Sequence, residues 1–149
     1  MGKKIFIGAD HNGFKLKEHL EHYLRSLGYD VNDVSGNKLD VNDDFPIHAS
    51  RVATSVLGHN DSLGILLCGS GQGVAMAANR YKGIRASLIW NESEARSSRN
   101  DDDANVLCLP AREITNLDDA KNLVNIWLNT PFDGAIRFVR RIKELDNLT

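Results

Sequence analysis

Leu63-Gly64-Ile65-Leu66-Leu67 runs directly into Cys68-Gly69-Ser70-Gly71-Gln72-Gly73. The first five residues carry no polar side chain, the pattern of a strand buried on both faces. The next six form a glycine-spaced loop. Behind it, Val74, Ala77, Ala78 and Tyr81 fall on one helical face. Strand, glycine loop and helix in this order make half of a parallel crossover, and the same order recurs on either side. Upstream, Lys4–Ala9 reads as a strand that stops at Asp10-His11-Asn12-Gly13. Leu16, Leu20, Tyr23, Leu24 and Leu27 then share a helical face ended by Gly28. Tyr29–Val34 is a weaker strand with turn residues Asp33 and Ser35 at its end. Ser35–Asp44 is polar and irregular up to Phe45-Pro46, and Ala49, Val52, Ala53, Val56 and Leu57 form the next stripe, stopped by Gly58.

Downstream, Ile84–Trp90 reads as a fourth strand and Val106–Leu109 as a fifth, with the polar stretch Asn91–Asn105 between them. Asn116 has the position of an N-cap, with Asp118 and Asp119 in the first turn, where acids suit the helix dipole. Ala120, Leu123, Val124 and Trp127 make that helix's inner face. A basic helix follows Pro131 and Gly134, with Val139, Ile142 and Leu145 expected to face inward. Five buried strands alternating with amphipathic helices predict an α/β fold with a five-stranded parallel sheet covered on both faces. No linker or repeat divides the chain, so residues 1–149 read as one domain.

Composition narrows the function. The 149 residues include 18 basic and 20 acidic side chains, a net charge of -2. That balance gives no basic footprint for nucleic acid, and no apolar run reaches a membrane span. The opening residues show no cleavage pattern, and Gly2 is not followed by the hydroxyl residue that myristoylation needs. Two cysteines, Cys68 and Cys108, make no disulfide framework, and no His/Cys cluster has zinc spacing. A cytoplasmic protein without metal or cofactor is the expectation.

In open parallel sheets the ligand sits beyond the carboxyl ends of the strands. The residues there are Asp10 and His11 after the first strand, Cys68 to Gly73 after the third, Asn91 and Glu92 after the fourth, and Arg112 after the fifth. Gly69, Gly71 and Gly73 let the backbone turn its N–H groups toward one point, which suits an anion. The loop lacks the Gly-Lys-Ser/Thr of a nucleotide-triphosphate loop and the spacing of a dinucleotide fingerprint. Cys68 at its head is either a thiol activated by the loop's N–H groups or an ordinary buried cysteine. Cys108, among apolar neighbours, reads as structural. Asp10 is equally suited to capping a turn. His19, His22, His48 and His59 lack ligand spacing and read as surface or core positions. Arg137 and Arg141, four apart on the last helix, share a face that suits a phosphate or simply solvent.

These motifs together resemble the ribose-5-phosphate isomerase B family, which includes galactose-6-phosphate and allose-6-phosphate isomerases. The likeness rests on Gly8-Ala9-Asp10-His11-Asn12-Gly13-Phe14, Asp44-Phe45-Pro46, Leu67 to Gly73 with Ala77-Ala78-Asn79-Arg80, Gly83-Ile84-Arg85-Ala86, Asp103-Ala104-Asn105-Val106-Leu107, and Arg137 with Arg140-Arg141-Ile142. The resemblance implies a three-layer α/β/α Rossmann-like sandwich, a homodimer or homotetramer with active sites shared between subunits, and metal-free interconversion of aldose and ketose phosphates. By this resemblance Cys68 is the base and Gly69, Ser70, Gly71, Gln72 and Gly73 cradle the enediolate; the chemistry of that step also gives Ser70 a place to relay a proton between the two oxygens. Asp10, His11, Asp102, Arg112, Arg137 and Arg141 match substrate-binding positions.

One segment departs from the family. Its ring-opening histidine falls at Asp101, and the neighbouring asparagine at Asp102. Phe138 stands where another family histidine follows the first matched arginine. Asp101 then either takes over ring opening with a raised pKa, or the substrate is a tetrose 4-phosphate that forms no ring. Ribose 5-phosphate is the default substrate. A hexose 6-phosphate, or a phosphosugar-binding subunit without catalysis, are the alternatives.

Overall fold

The computed structural model describes residues 3–148, so the Gly2 expectation lies outside it. Its centre is β3 (Leu63–Cys68), buried at every position. β1 (Lys4–Ala9) and β5 (Val106–Pro110) flank it, and β2 (Asp30–Asp33) and β4 (Ala86–Leu88) lie at the edges. The order β2-β1-β3-β5-β4 is parallel throughout. Alternate side chains go to opposite faces, as a strand's period of two demands. Ile7, Ile65, Leu67, Leu107 and Leu109 meet α1 (Phe14–Ser26), α4 (Glu92–Asn100) and α5 (Leu117–Asn129) on one face. Phe6, Leu66, Cys68 and Cys108 meet α2 (Phe45–Gly58) and α3 (Gln72–Ala78) on the other. This is the expected three-layer α/β/α sandwich. Among the described residues no helix is long and apolar enough to cross a membrane.

Several local expectations are corrected. The fourth strand is only Ala86–Leu88; at its entry the Arg85 N–H and carbonyl are taken by Asn105. The polar stretch after it contains α4, capped by Asn91, whose side chain accepts the Glu94 N–H at 2.9 Å. Its buried face is Ala95, Ser98 and Arg99, which has no apolar stripe to read. Trp127 Nε1–H donates to Ser98 Oγ (3.1 Å), and Arg99 stacks on the Trp127 ring. On α6 (Ile136–Asp146) the buried residue is Phe138, whereas Leu145 is 50% exposed. Leu57 and Leu27 are likewise exposed.

Asp33 and Ser35 are more than turn residues. Lys17, facing the core from α1, is fully buried. Its Nζ donates to Asp33 Oδ2 (2.6 Å), Ser35 Oγ (3.3 Å) and the Gly36 carbonyl (2.6 Å). Ser35 Oγ in turn accepts the Ala9 N–H at 3.1 Å. The ammonium thus finds the partners that burial requires, and ties β2's exit to the end of β1. Replacing it by Lys17→Met leaves Asp33 uncompensated. We expect a loss of about 3 kcal/mol in unfolding free energy, measured by urea denaturation.

Candidate active site

β1 and β3 end together. Ala9 pairs with Leu67, and the Asp10 N–H donates to the Leu67 carbonyl (3.3 Å). Asp10 therefore stands beside Cys68 at the carboxyl edge. Gly13 makes this approach possible, since a Cβ there would lie 2.6 Å from Leu67 Cβ and 2.8 Å from its carbonyl oxygen. Asp10 is buried, and its Oδ1 accepts the N–H groups of Asn12 (3.0 Å) and Gly13 (3.3 Å). It caps the turn as well as lining the edge.

Cys68 is 5% exposed, at the last position of β3. Gly71 has φ +73°, a left-handed conformation, and its missing side chain leaves room for Leu88 and the backbone of Leu109 and Pro110. The loop reverses there into α3. The Arg112 guanidinium packs on Gly69, where a Cβ would stand 2.8 Å from Nε. The Phe45 ring covers Gly73 in the same way, at 2.9 Å. Ser70 Oγ accepts the Gln72 N–H at 3.3 Å. Asp10, His11, the Cys68–Gly73 loop and Arg112 are thus gathered on one edge. Cys108 is fully buried, and burial together with the nearby Cys68 pushes its thiol pKa far up, so it stays protonated.

The other site residues lie elsewhere. α4 returns from the carboxyl edge to the amino edge, so Asp101 and Asp102 precede β5 at its start, where Val106 pairs with Gly64. From Gly64 to Cys68 the sheet spans about 13 Å. Asp101 Oδ1 accepts from Asn100 Nδ2 (2.8 Å). Burial raises the pKa of Asp102, and the Asp101 charge adds to this, while Arg85 and Arg141 oppose it. Arg141 therefore sits with the aspartates. So does the end of α6, where Arg85 Nη1 donates to Asp146 Oδ2 at 3.1 Å. Arg137 and Arg141 are both exposed. One chain does not bring Asp101, Asp102, Arg137 and Arg141 to Cys68. A cavity of about 800 Å³ at this amino edge is lined in part by Arg80, Arg85, Asp102 and Asp146.

Sequence reasoning missed Asp43 and assigned no role to His48. Asp43 Oδ1 accepts both the His11 N–H (3.0 Å) and His11 Nδ1–H (2.8 Å), and its Oδ2 accepts His48 Nε2–H (2.8 Å). His48 is buried in α2, and its Nδ1 has no partner among the described residues. The one available signal was an acid run, Asp43-Asp44, immediately before a helix start that contains a histidine. The Asp43 hydrogen bond raises the His11 pKa against a smaller opposing effect of burial, helped by the Asp10 charge. Burial acts to raise the Asp43 carboxyl, but the His11 and His48 hydrogen bonds outweigh it and hold it low.

The fold is a Rossmann-like α/β sandwich with a polar cluster at the carboxyl edge of its sheet, and comparison narrows this class to a family. Residues 5–145 match the Ribose/Galactose Isomerase family. A probable ribose-5-phosphate isomerase B of Mycoplasma genitalium is 42% identical over 146 residues, 97% of this chain and 95% of the relative. Ribose-5-phosphate isomerase B of Escherichia coli K12 is 38% identical, over 96% of this chain and 94% of its own. Among solved structures, a ribose 5-phosphate isomerase of Thermotoga maritima superposes with TM-score 0.93 at 40% identity, covering 99% of this chain and 100% of its own. The Mycoplasma genitalium enzyme with bound ribulose 5-phosphate gives 0.91 at 39%, covering 98% and 95%. The chain belongs to the ribose/galactose isomerase family.

The His11–Asp43 pair makes stability depend on pH. A raised His11 contributes fully below the ordinary imidazole value, and the contribution is lost as pH rises through its folded value. A lowered Asp43 contributes fully above the ordinary carboxylate value, and the contribution is lost as pH falls through its folded value. We expect the stability deficit of Asp43→Asn to be largest between about pH 4 and 6.5 and to shrink on either side, measured by chemical denaturation across pH.

Proposed function

We propose that the protein interconverts ribose 5-phosphate and ribulose 5-phosphate by proton transfer through an enediolate. What carries the reading is near full-length similarity to proteins named ribose-5-phosphate isomerase B, one solved with bound ribulose 5-phosphate. Cys68 supports it chemically. It ends a buried strand and heads a loop whose glycines at 69, 71 and 73 let Arg112, Leu88 and Phe45 pack against the backbone. In this reading the Cys68 thiolate removes the proton from C2 of the open aldose and returns one to C1. The N–H groups from Gly69 to Gly73 receive the charge that develops on oxygen, an effect worth about 3–4 kcal/mol per donor elsewhere. Ser70 passes a proton between O1 and O2. Asp10, His11 and Arg112 line the sugar.

The phosphate arginines and the ring-opening carboxylate come from a second copy of the chain. The support is placement: Asp101, Asp102, Arg137 and Arg141 lie away from the edge that holds Cys68. A site that needs both groups is complete only when the amino-edge set of one subunit faces the carboxyl edge of another. Arg137 and Arg141 then grip the phosphate, and the binding energy of this remote group positions the reacting carbons. A homodimer is the smallest assembly that does this.

Cys68→Ala is expected to lower kcat for ribose 5-phosphate by about 1,000-fold while binding of the sugar phosphate persists. Steady-state turnover and calorimetric titration check the two halves. Undiminished turnover would remove the base from this account.

A further inference from the structure

We propose that Arg85 is a positioning residue for the substrate phosphate: its guanidinium clamps the Asp102–Asp103 backbone to the end of α6, and so sets where Arg137 and Arg141 stand. Resting on the isomerase reading above, in which those arginines grip the phosphate, the clamp gives a role to a guanidinium outside the expected site. Both sides of the guanidinium fork are used. Nε–H is shared between the carbonyls of Asp102 (3.0 Å) and Asp103 (3.2 Å), and Nη2 donates to the Asp103 carbonyl at 2.9 Å. On the other side Nη1 meets both carboxylate oxygens of Asp146, at 3.1 and 3.4 Å. The Arg85 side chain is 14% exposed, so its charge rests on these partners rather than on water. A lysine, a point charge on a flexible stem, cannot hold both sides in one plane.

The helix held in this way has little else to hold it. Phe138 is buried, and every other described residue of α6 is exposed or half-buried. Apolar burial therefore fixes the start of the helix and leaves its far end to polar contacts. Asp146 is the last residue of α6, about 12 Å beyond Phe138 at a helical rise of ~1.5 Å per residue. An acid there meets the negative end of the helix dipole, which disfavours it unless a cation pairs with it. Arg85 is that cation. The turn before α6 is tied to the same segment, since the Asp133 N–H donates to the Asn100 carbonyl at 3.1 Å. The segment is itself anchored in the core. Asp103 has φ +47°, in the left-handed region that side chains other than glycine rarely enter. Its carboxylate takes Arg99 Nη1 at 3.2 Å, and buried Arg99 stacks on Trp127 of α5. The Ala104 N–H donates to the Ser98 carbonyl at 2.9 Å.

Arg137 and Arg141 follow the helix. The Arg137 guanidinium lies over the Phe138 ring, 4.3 Å from its centroid. Arg141, four residues on, shares its face. A swing of the far end about the Phe138 anchor displaces both guanidinium groups relative to Asp102. A bidentate phosphate contact depends on fixed geometry and is weakened by such a shift. The phosphate is held alike before and during proton transfer, so the weakening falls mainly on KM.

The test uses the full chain and two variants that cut the clamp at different points. Asp146→Asn removes the charge that α6 offers, and Arg85→Lys keeps a charge but loses the fork. Steady-state kinetics with ribose 5-phosphate and competitive inhibition by inorganic phosphate are read beside urea unfolding. Each variant should raise KM and the inhibition constant of phosphate by the same factor, about 10-fold, with kcat within about threefold. The double variant should be no worse than the poorer single one, because both break one contact. A merely structural role would lower stability and the active fraction, hence kcat, and leave KM and phosphate inhibition where they were; that result overturns the proposal. So does a double variant whose effect on KM is the product of the two single effects. If Arg85→Lys does not fold, Asp146→Asn, at the more exposed end of the pair, decides alone through KM and the phosphate constant. A wild type that converts no ribose 5-phosphate overturns the isomerase reading and this proposal with it, whereas an active wild type whose variants keep its KM overturns only the role of Arg85.

Discussion

The shared ending of β1 and β3 is the constraint on which the site depends. The Ala9–Leu67 pairing brings the exit of the first strand level with Cys68. It tolerates no register slip, because a shift of one residue would turn Leu66 and Cys68 toward the opposite helical layer. Gly13 packed on Leu67 and Gly71 packed on Leu88 make the two exits close enough to share a ligand. Lys17 then fixes the next turn by holding Asp33 and Ser35 against Ala9. A buried ion pair is a poor source of stability but a good source of geometry, since no other arrangement satisfies its partners.

Much of this was legible in the residues because periodicity reports burial. Leu63–Leu67 and Val106–Leu109 have unbroken apolar runs, and both are fully buried strands. The stripe Ala120, Leu123, Val124 and Trp127 is the inner face of α5. What escaped reading was structure held by polar contacts. α4 buries Ala95, Ser98 and Arg99, and its packing runs through a hydrogen bond and a stacked guanidinium. Neither leaves a hydrophobic period. The edge strand β4 is shortened by Asn105, a loop residue twenty positions later in the chain. Only tertiary structure joins the two.

The site divides the same way. Strand ends locate Asp10, His11, Cys68 and Arg112, because the topology of a parallel sheet sends every exit to one edge. Asp43 follows no strand. It leaves a polar loop and reaches His11 across 32 positions of sequence. Spacing singled out Arg137 and Arg141, and the resemblance to a known family supplied Asp101 and Asp102, but neither could place them. The fold does, at the opposite edge, where Arg141 and Arg85 offset the crowded aspartates.

That division has an electrostatic logic. A phosphosugar brings negative charge, and three adjacent aspartates at Asp101–Asp103 would repel it if they stood unscreened. Arg85 spends its guanidinium on Asp103 and Asp146, at 3.7 and 3.1 Å, which fixes the aspartate segment to the last helix. Arg99 takes the other oxygen of Asp103 at 3.2 Å. Asp103 is thereby neutralised within the chain, and Arg141 is left close to Asp102. On the opposite edge the balance differs, with Asp10 and Asp43 beside the His11 imidazole and Asp43 also bonded to His48. Carboxylates beside an imidazole favour its charged form, whereas Arg141 is set against Asp102, which has no ion-pair partner of its own among the described residues. The two groups thus lie on opposite edges of the chain, and in the proposed reading a complete site needs a second copy.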